Sequence, residues 1–165
     1  MKPHYKSLFL ILLLVSSAFG SVTQEPKDDV ARLIAAAKFL EQTPFDKKAK
    51  DVRRWALEWV IATDKVSVNL CGTLGSGVNK GKEYKYSPEM TAQYAIGMAA
   101  FKLANPGKEE QSAQLAGFES VLSAYEAMVK EQPKAKNAFL DDLLAKRSDG
   151  TLAQHLVDNN CKDKK

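Results

Sequence analysis

Residues 87–107 read SPEMTAQYAIGMAAFKLANPG, and their pattern decides the fold class. Ser87-Pro88 is a helix start, because serine caps and proline needs no N–H partner in the first turn. Met90, Tyr94, Gly97, Met98 and Phe101 recur at helical spacing and mark one face. Ala92, Ala95, Ala99 and Ala100 are small enough to admit a close neighbour. Asn105-Pro106-Gly107 then stops the helix.

The flanking sequence supplies the neighbours. Upstream, Asp28 and Asp29 sit where a helix start favours acids, and Val30, Leu33, Ile34, Ala37 and Phe39-Leu40 follow in helical register. Thr43-Pro44 ends that helix. Asp46 is placed to cap the next, whose apolar stripe is Val52, Trp55, Ala56, Trp59 and Val60. Downstream, a helix from about Glu109 to Glu131 carries Leu115, Phe118, Leu122, Tyr125 and Val129. Pro133 is read as the start of another, carrying Phe139, Leu140, Leu143 and Leu144, broken by Asp149-Gly150. A last short helix spans Leu152 to Val157 and leads to Cys161. Val66-Ser67-Val68-Asn69-Leu70 alternates apolar and polar residues, which is the strand period, but no second strand exists to pair with it. It is read as an extended segment or the ragged end of the second helix. The fold class is therefore all-α, a compact bundle of about five to six helices. One long Gly/Lys/Tyr loop interrupts it, from Cys71 to Pro88. Gln93–Gly97 and Tyr125…Pro133 have a tetratricopeptide flavour. Counted from Gly97, however, the second-helix positions fall on Glu109, Ala113 and Ala116, and no second copy follows at the repeat period.

The first twenty residues stand apart. Lys2 and Lys6 precede the apolar run Leu8–Val15, and Ala18-Phe19-Gly20 offers small residues before a cut at Ser21. That is the pattern of a secretory signal peptide. The run is shorter than the roughly 20 apolar residues a membrane span needs. The expected organisation is a signal over 1–20, a flexible arm over 21–27, a single helical domain over 28–161 and a charged tail over 162–165. The expected location is outside the cytoplasm, periplasmic or extracellular, with no membrane attachment once the signal is removed. Of 24 Lys and Arg, Lys2 and Lys6 leave with the signal, so 22 remain against 20 acids. Such a balance carries no nucleic-acid footprint, which needs basic residues gathered on one face. The two cysteines of the chain, Cys71 and Cys161, read as one disulfide in an exported protein. Its loop of about 90 residues corresponds to on the order of 4–5 kcal/mol in the chain-entropy model.

The loop CGTLGSGVNKGKEYKYSP, residues 71–88, invites a phosphate-binding reading that its spacing refuses. Counting back from Gly81-Lys82 puts Ser76 where a P-loop needs glycine, and Glu83 stands where the hydroxyl should be. A dinucleotide loop needs glycine three after Gly77, where Lys80 stands. Gly75-Ser76-Gly77 has Leu74 where a nucleophile elbow needs glycine. Lys80, Lys82, Tyr84, Lys85 and Tyr86 remain as a candidate lip for a small anionic or sugar-like ligand, or for a partner protein. The alternative is a connection whose tyrosines tuck back onto the bundle.

Other residues carry less chemistry. His155 with Asp158 and Cys161 supplies too few ligands for a closed metal site, and Cys161 is expected in the bridge. Glu58 lies between Trp55 and Trp59. It is the least poor candidate for a general acid, but no second carboxylate is singled out. No catalytic residue, metal site or cofactor is therefore assigned.

The run Ala35-Ala36-Ala37-Lys38-Phe39-Leu40-Glu41…Pro44-Phe45-Asp46, with Arg54-Trp55 and Tyr84–Pro88, resembles uncharacterised small exported bacterial helical proteins. The resemblance implies a helical exported domain and no activity. The sequence thus leads to the expectation of a non-catalytic binding or interaction protein. The alternatives are an inhibitor or immunity-type protein that blocks a partner enzyme, and a small carboxylate-dependent hydrolase.

Overall fold

A computed structural model describes residues 28–81, 83–159 and 161. The expected signal, arm and tail lie outside the described residues, as does Lys82. Among the described residues seven α-helices follow one another: α1 (Asp29–Gln42), α2 (Ala49–Ala62), α3 (Gly72–Val78), α4 (Ser87–Ala104), α5 (Glu110–Glu131), α6 (Ala138–Ser148) and α7 (Leu152–Asp158). A 3-10 turn, Pro133–Ala135, separates α5 from α6. No strand occurs among the described residues, so the all-α class holds.

Helix α4 is the axle. Ten of its 18 residues are buried, from Met90 to Ala100. A helix that is apolar nearly all round must be packed on several sides. Met90, Tyr94 and Met98 enter one cluster with Phe118, Leu122, Tyr125, Leu140 and Leu143. Ile96, Ala99 and Ala100 enter a second with Leu33, Ala37, Leu40, Ala56 and Val60. Each fully buried side chain of the Leu or Phe kind contributes about 1.5–3 kcal/mol.

Its closest partner is α5, and reciprocal glycines set the approach. A Cβ on Gly97 would strike Cβ and Oγ of Ser120 on α5. A Cβ on Gly117 would lie 2.8 Å from the Tyr94 ring. A polar contact then locks α1 onto this pair. Gln93, 1% exposed, donates Nε2 to Ser120 Oγ at 2.8 Å and to the Ala37 carbonyl at 3.3 Å. Ser120 Oγ in turn donates to the Glu41 carboxylate at 2.5 Å.

Three local readings change. The Gly-rich half of the 71–88 segment is helical, because Leu74 and Val78 one turn apart are buried in the first cluster. The connection that remains runs from Asn79 to Tyr86. Ser87 is the first residue of α4 rather than its cap, and its hydroxyl accepts from Asn79 Nδ2 at 3.0 Å. Pro133 opens only the 3-10 turn; α6 starts later because Asn137 Oδ1 accepts from Phe139 N at 3.1 Å and Leu140 N at 3.2 Å. Asp28 does cap α1, accepting from Val30 N at 3.0 Å. Val66–Leu70 joins α2 to α3 without helix, strand pairing or turn.

Cys71 and Cys161 form a disulfide, with Cα atoms 5.1 Å apart. It ties the end of α7 to the start of α3. Thr73 Oγ1, donating to the Asn159 carbonyl at 3.1 Å, reinforces the join. Among the described residues no helix is long and apolar enough to cross a membrane.

Candidate functional site

The candidate lip residues divide by type. Tyr84 is 8% exposed and belongs to the first core cluster. Its hydroxyl donates to the Ala135 carbonyl at 2.7 Å. Burial pushes its pKa up to about 12, and Tyr86, Glu89 and Asp141 add to the shift. Tyr86 is half-buried, packs against Phe45 with ring centroids 5.4 Å apart, and meets Gln132 Oε1 at 3.0 Å through its hydroxyl. Both tyrosines thus fasten the 79–86 connection to the bundle, and Asn79 Oδ1 braces it by accepting from Tyr84 N at 2.9 Å. Lys80 and Lys85 are exposed, Lys85 with its Nζ 5.2 Å from the Tyr86 ring centre. Lys80 and Lys85 are the part of the lip seen open to solvent.

These tyrosine contacts draw three lysine-bearing segments to one end of the molecule. Phe45 brings the α1–α2 turn with Lys47 and Lys48, and Gln132 and Ala135 bring the 3-10 turn with Lys134 and Lys136. All four of these lysines are exposed, and no ion pair involves them, Lys80 or Lys85 among the described residues. Asp46 in the same turn accepts from Lys48 N at 2.7 Å. Arg53 supports that turn from below, donating to the Pro44 carbonyl at 3.3 Å. Burial lowers its pKa, and the nearby Glu89 carboxylate opposes the shift.

Beside this basic end, α1 and α2 enclose an open groove of about 560 Å³. Its floor is apolar, formed by Ala35, Ala36, Phe39, Val52 and Trp55. Its rim carries Arg32, Lys48 and Arg54 against one acid, Asp51. Asp51 pairs with Arg54 at 2.9 Å, an exposed contact worth at most about 1 kcal/mol. Arg32 stacks its guanidinium 4.0 Å from the Trp55 ring centre, which holds that charge at the groove edge. Arg32 and Lys48 are left as cations without a carboxylate partner among the described residues. Apolar floor and cationic rim together suit a ligand with a tail and an anionic head. Lys48 joins the groove to the basic end.

The acid–base candidates are arranged differently. Glu58 is exposed and does not line the groove. Asp158 accepts from Gln154 Nε2 at 2.8 Å, and Cys161 is in the bridge, so neither is paired with His155. Sequence reading placed Trp55 in the core and left Arg32 and Lys48 unnamed. Arg32 sits on α1 and Trp55 on α2, and only the packing of the two helices joins them.

The fold and this end of the molecule define a small disulfide-linked helical protein with a cationic, apolar-floored groove. Comparison with protein-family models, with curated proteins and with solved structures finds no match.

Proposed function

We propose that the protein is a non-catalytic, exported binding protein for an anionic amphiphile. The ligand class is a single acyl-type tail bearing a phosphate or carboxylate head. The observation that carries this reading is the α1–α2 groove, an apolar floor under Arg32, Lys48 and Arg54. The tail lies along Ala35, Ala36, Phe39 and Val52, and the head meets Arg32 and Lys48. Lys80 and Lys85, with Lys47 and Lys134, extend the positive field beyond the groove. Charges so placed raise the association rate more than they slow dissociation. Tyr86 and Phe45 hold this end in shape. The Cys71–Cys161 bridge is compatible with an oxidising compartment, which supports export.

Trp55 in the groove is a built-in reporter. Dodecyl phosphate, titrated below its micelle concentration, is expected to shift tryptophan emission saturably, whereas uncharged dodecyl maltoside is not. Arg32→Gln with Lys48→Gln is expected to weaken binding about tenfold or more, since 1.4 kcal/mol is one factor of ten. Trp59→Phe, outside the groove, should leave the signal in place. Equal binding of the charged and uncharged detergents would refute the reading, as would an unchanged affinity in the double variant.

A further inference from the structure

A second surface, on the far side of α2 from the first, combines exposed apolar side chains with an open backbone edge. Ile61 is 76% exposed and Leu70 is 56% exposed, the two large apolar residues most open to solvent among the described residues. They border a groove of about 510 Å³ between the C-terminal half of α2 and the segment 63–70, with Ala95 of α4 in its floor. A neighbouring groove of about 430 Å³ shares Leu57, Leu70 and Ala95 with it and runs on to Glu83 and Ser87.

The backbone of this segment is used on one edge only. Ser67 O accepts from Lys102 Nζ at 2.7 Å, and Asn69 O accepts from Gln114 Nε2 at 2.9 Å. These are the carbonyls of alternate residues, and both point toward α4 and α5, which is the alternation of an extended chain. In an extended chain the N–H and C=O of successive residues face opposite edges. Those of Val66, Val68 and Leu70 therefore face away from α4 and α5, and none has a hydrogen-bond partner among the described residues. An edge of this kind is a template for another strand. The two grooves are lined by the acids Asp64 and Glu83 and by no Lys or Arg.

We infer that this groove receives an extended peptide with alternating apolar side chains and flanking Lys or Arg, pairing as an added strand with the outward edge of Val66–Leu70. Main-chain bonds to Val66, Val68 and Leu70 supply the pairing, and alternate side chains of the guest settle on Leu57, Val60 and Ile61. A basic flank meets Asp64. This surface is distinct from the cationic α1–α2 groove, and its guest carries the opposite charge.

The test uses the disulfide-bonded protein, labelled with nitrogen-15, and the synthetic peptide Ac-KKVTVTVTVKK-NH2. The expected result is saturable shifts centred on the amides of Val66, Val68 and Leu70, with slowed hydrogen exchange at those three. Two N-methylated peptides, each blocking one edge of the guest strand, should behave differently: one loses binding and the other keeps it. Ile61→Lys with Leu70→Lys changes only exposed positions and should weaken binding about tenfold or more while the circular dichroism spectrum is unchanged. The inference is overturned if the peptide does not bind at millimolar concentration. It is equally overturned if both N-methylated peptides bind alike, if a Lys-flanked amphipathic helix binds in its place, or if sedimentation shows that the surface is covered by a second copy of the chain.

Discussion

Gly97→Ala tests the contact on which the bundle is built. A Cβ at this position meets Cβ and Oγ of Ser120, and the Ser120 Cβ is fixed to the α5 backbone. The hydroxyl could rotate aside, but then Gln93 Nε2 and Glu41 each lose a bond to it. Helix propensity favours the change by about 1 kcal/mol, since alanine replaces a mid-helix glycine. Overpacking opposes it by about 1–3 kcal/mol, and the two displaced hydrogen bonds by about 1 kcal/mol each. The net expectation is a loss of about 2–4 kcal/mol, or roughly 4 °C in Tm for each kcal/mol in a domain of this size. Urea unfolding followed by circular dichroism measures it, with an unchanged slope confirming that the native state alone is affected. Ser120→Gly, alone and combined with Gly97→Ala, completes a cycle in which the pair should couple by about 1 kcal/mol or more. A Gly97→Ala variant as stable as the parent, or a cycle with no coupling, would refute the close-approach account.

Reducing the Cys71–Cys161 bridge, which spans 90 residues of sequence, is expected to cost about 4–5 kcal/mol in the chain-entropy model; urea melts with and without dithiothreitol read it. Tyr84→Phe leaves the Ala135 carbonyl without its partner and should cost about 1–3 kcal/mol, measured in the same way. Alkali should destabilise the fold. Burial raises the pKa of Tyr84 to about 12 and raises those of Tyr94 and Tyr125 as well. The native state then holds protons the unfolded chain releases near its ordinary pKa of about 10, so stability is full below that pH and falls above it. Absorbance at 295 nm should therefore rise together with loss of helical circular dichroism. In α3, Gly75→Ala faces open space and should stabilise by about 0.5–1 kcal/mol. Gly77→Ala places a Cβ on the Phe139 ring and should destabilise; thermal melts of the two variants check the contrast.

Periodicity was a sound guide wherever a helix buries one continuous stripe. The apolar residues of α1, α2 and α5 recur at the helical spacing, as does one face of the more widely buried α4, and those helices form where the spacing places them. α3 was illegible because propensity opposes it: GTLGSGV carries three glycines, each costing about 1 kcal/mol in a helix interior. It forms because the disulfide fixes its start and because Leu74 and Val78 gain burial one turn apart. A tertiary cross-link and two buried side chains outweigh local preference there. The late start of α6 was written in Asn137, a strong cap, but Pro133 offered an earlier start and masked it.

The site shows the same division between local and tertiary information. Tyr84-Lys85-Tyr86 alternates, and alternation says that two side chains share one side of the chain and the third faces the other. It does not say which side meets the protein. Here the rings face inward, onto Ala135, Phe45 and Gln132, and the lysine faces out. A ring has more to gain from burial than a lysine, whose ammonium must stay hydrated, so the direction follows from transfer energetics. The cationic groove had no such local signature. Arg32 and Trp55 are unremarkable residues in their own helices, and they become a site only when α1 and α2 lie against α4 and bring an indole under a guanidinium. Helix faces can be read from the spacing of residues, whereas the composition of a groove between two helices depends on how both are rotated, and that is settled by the core they share.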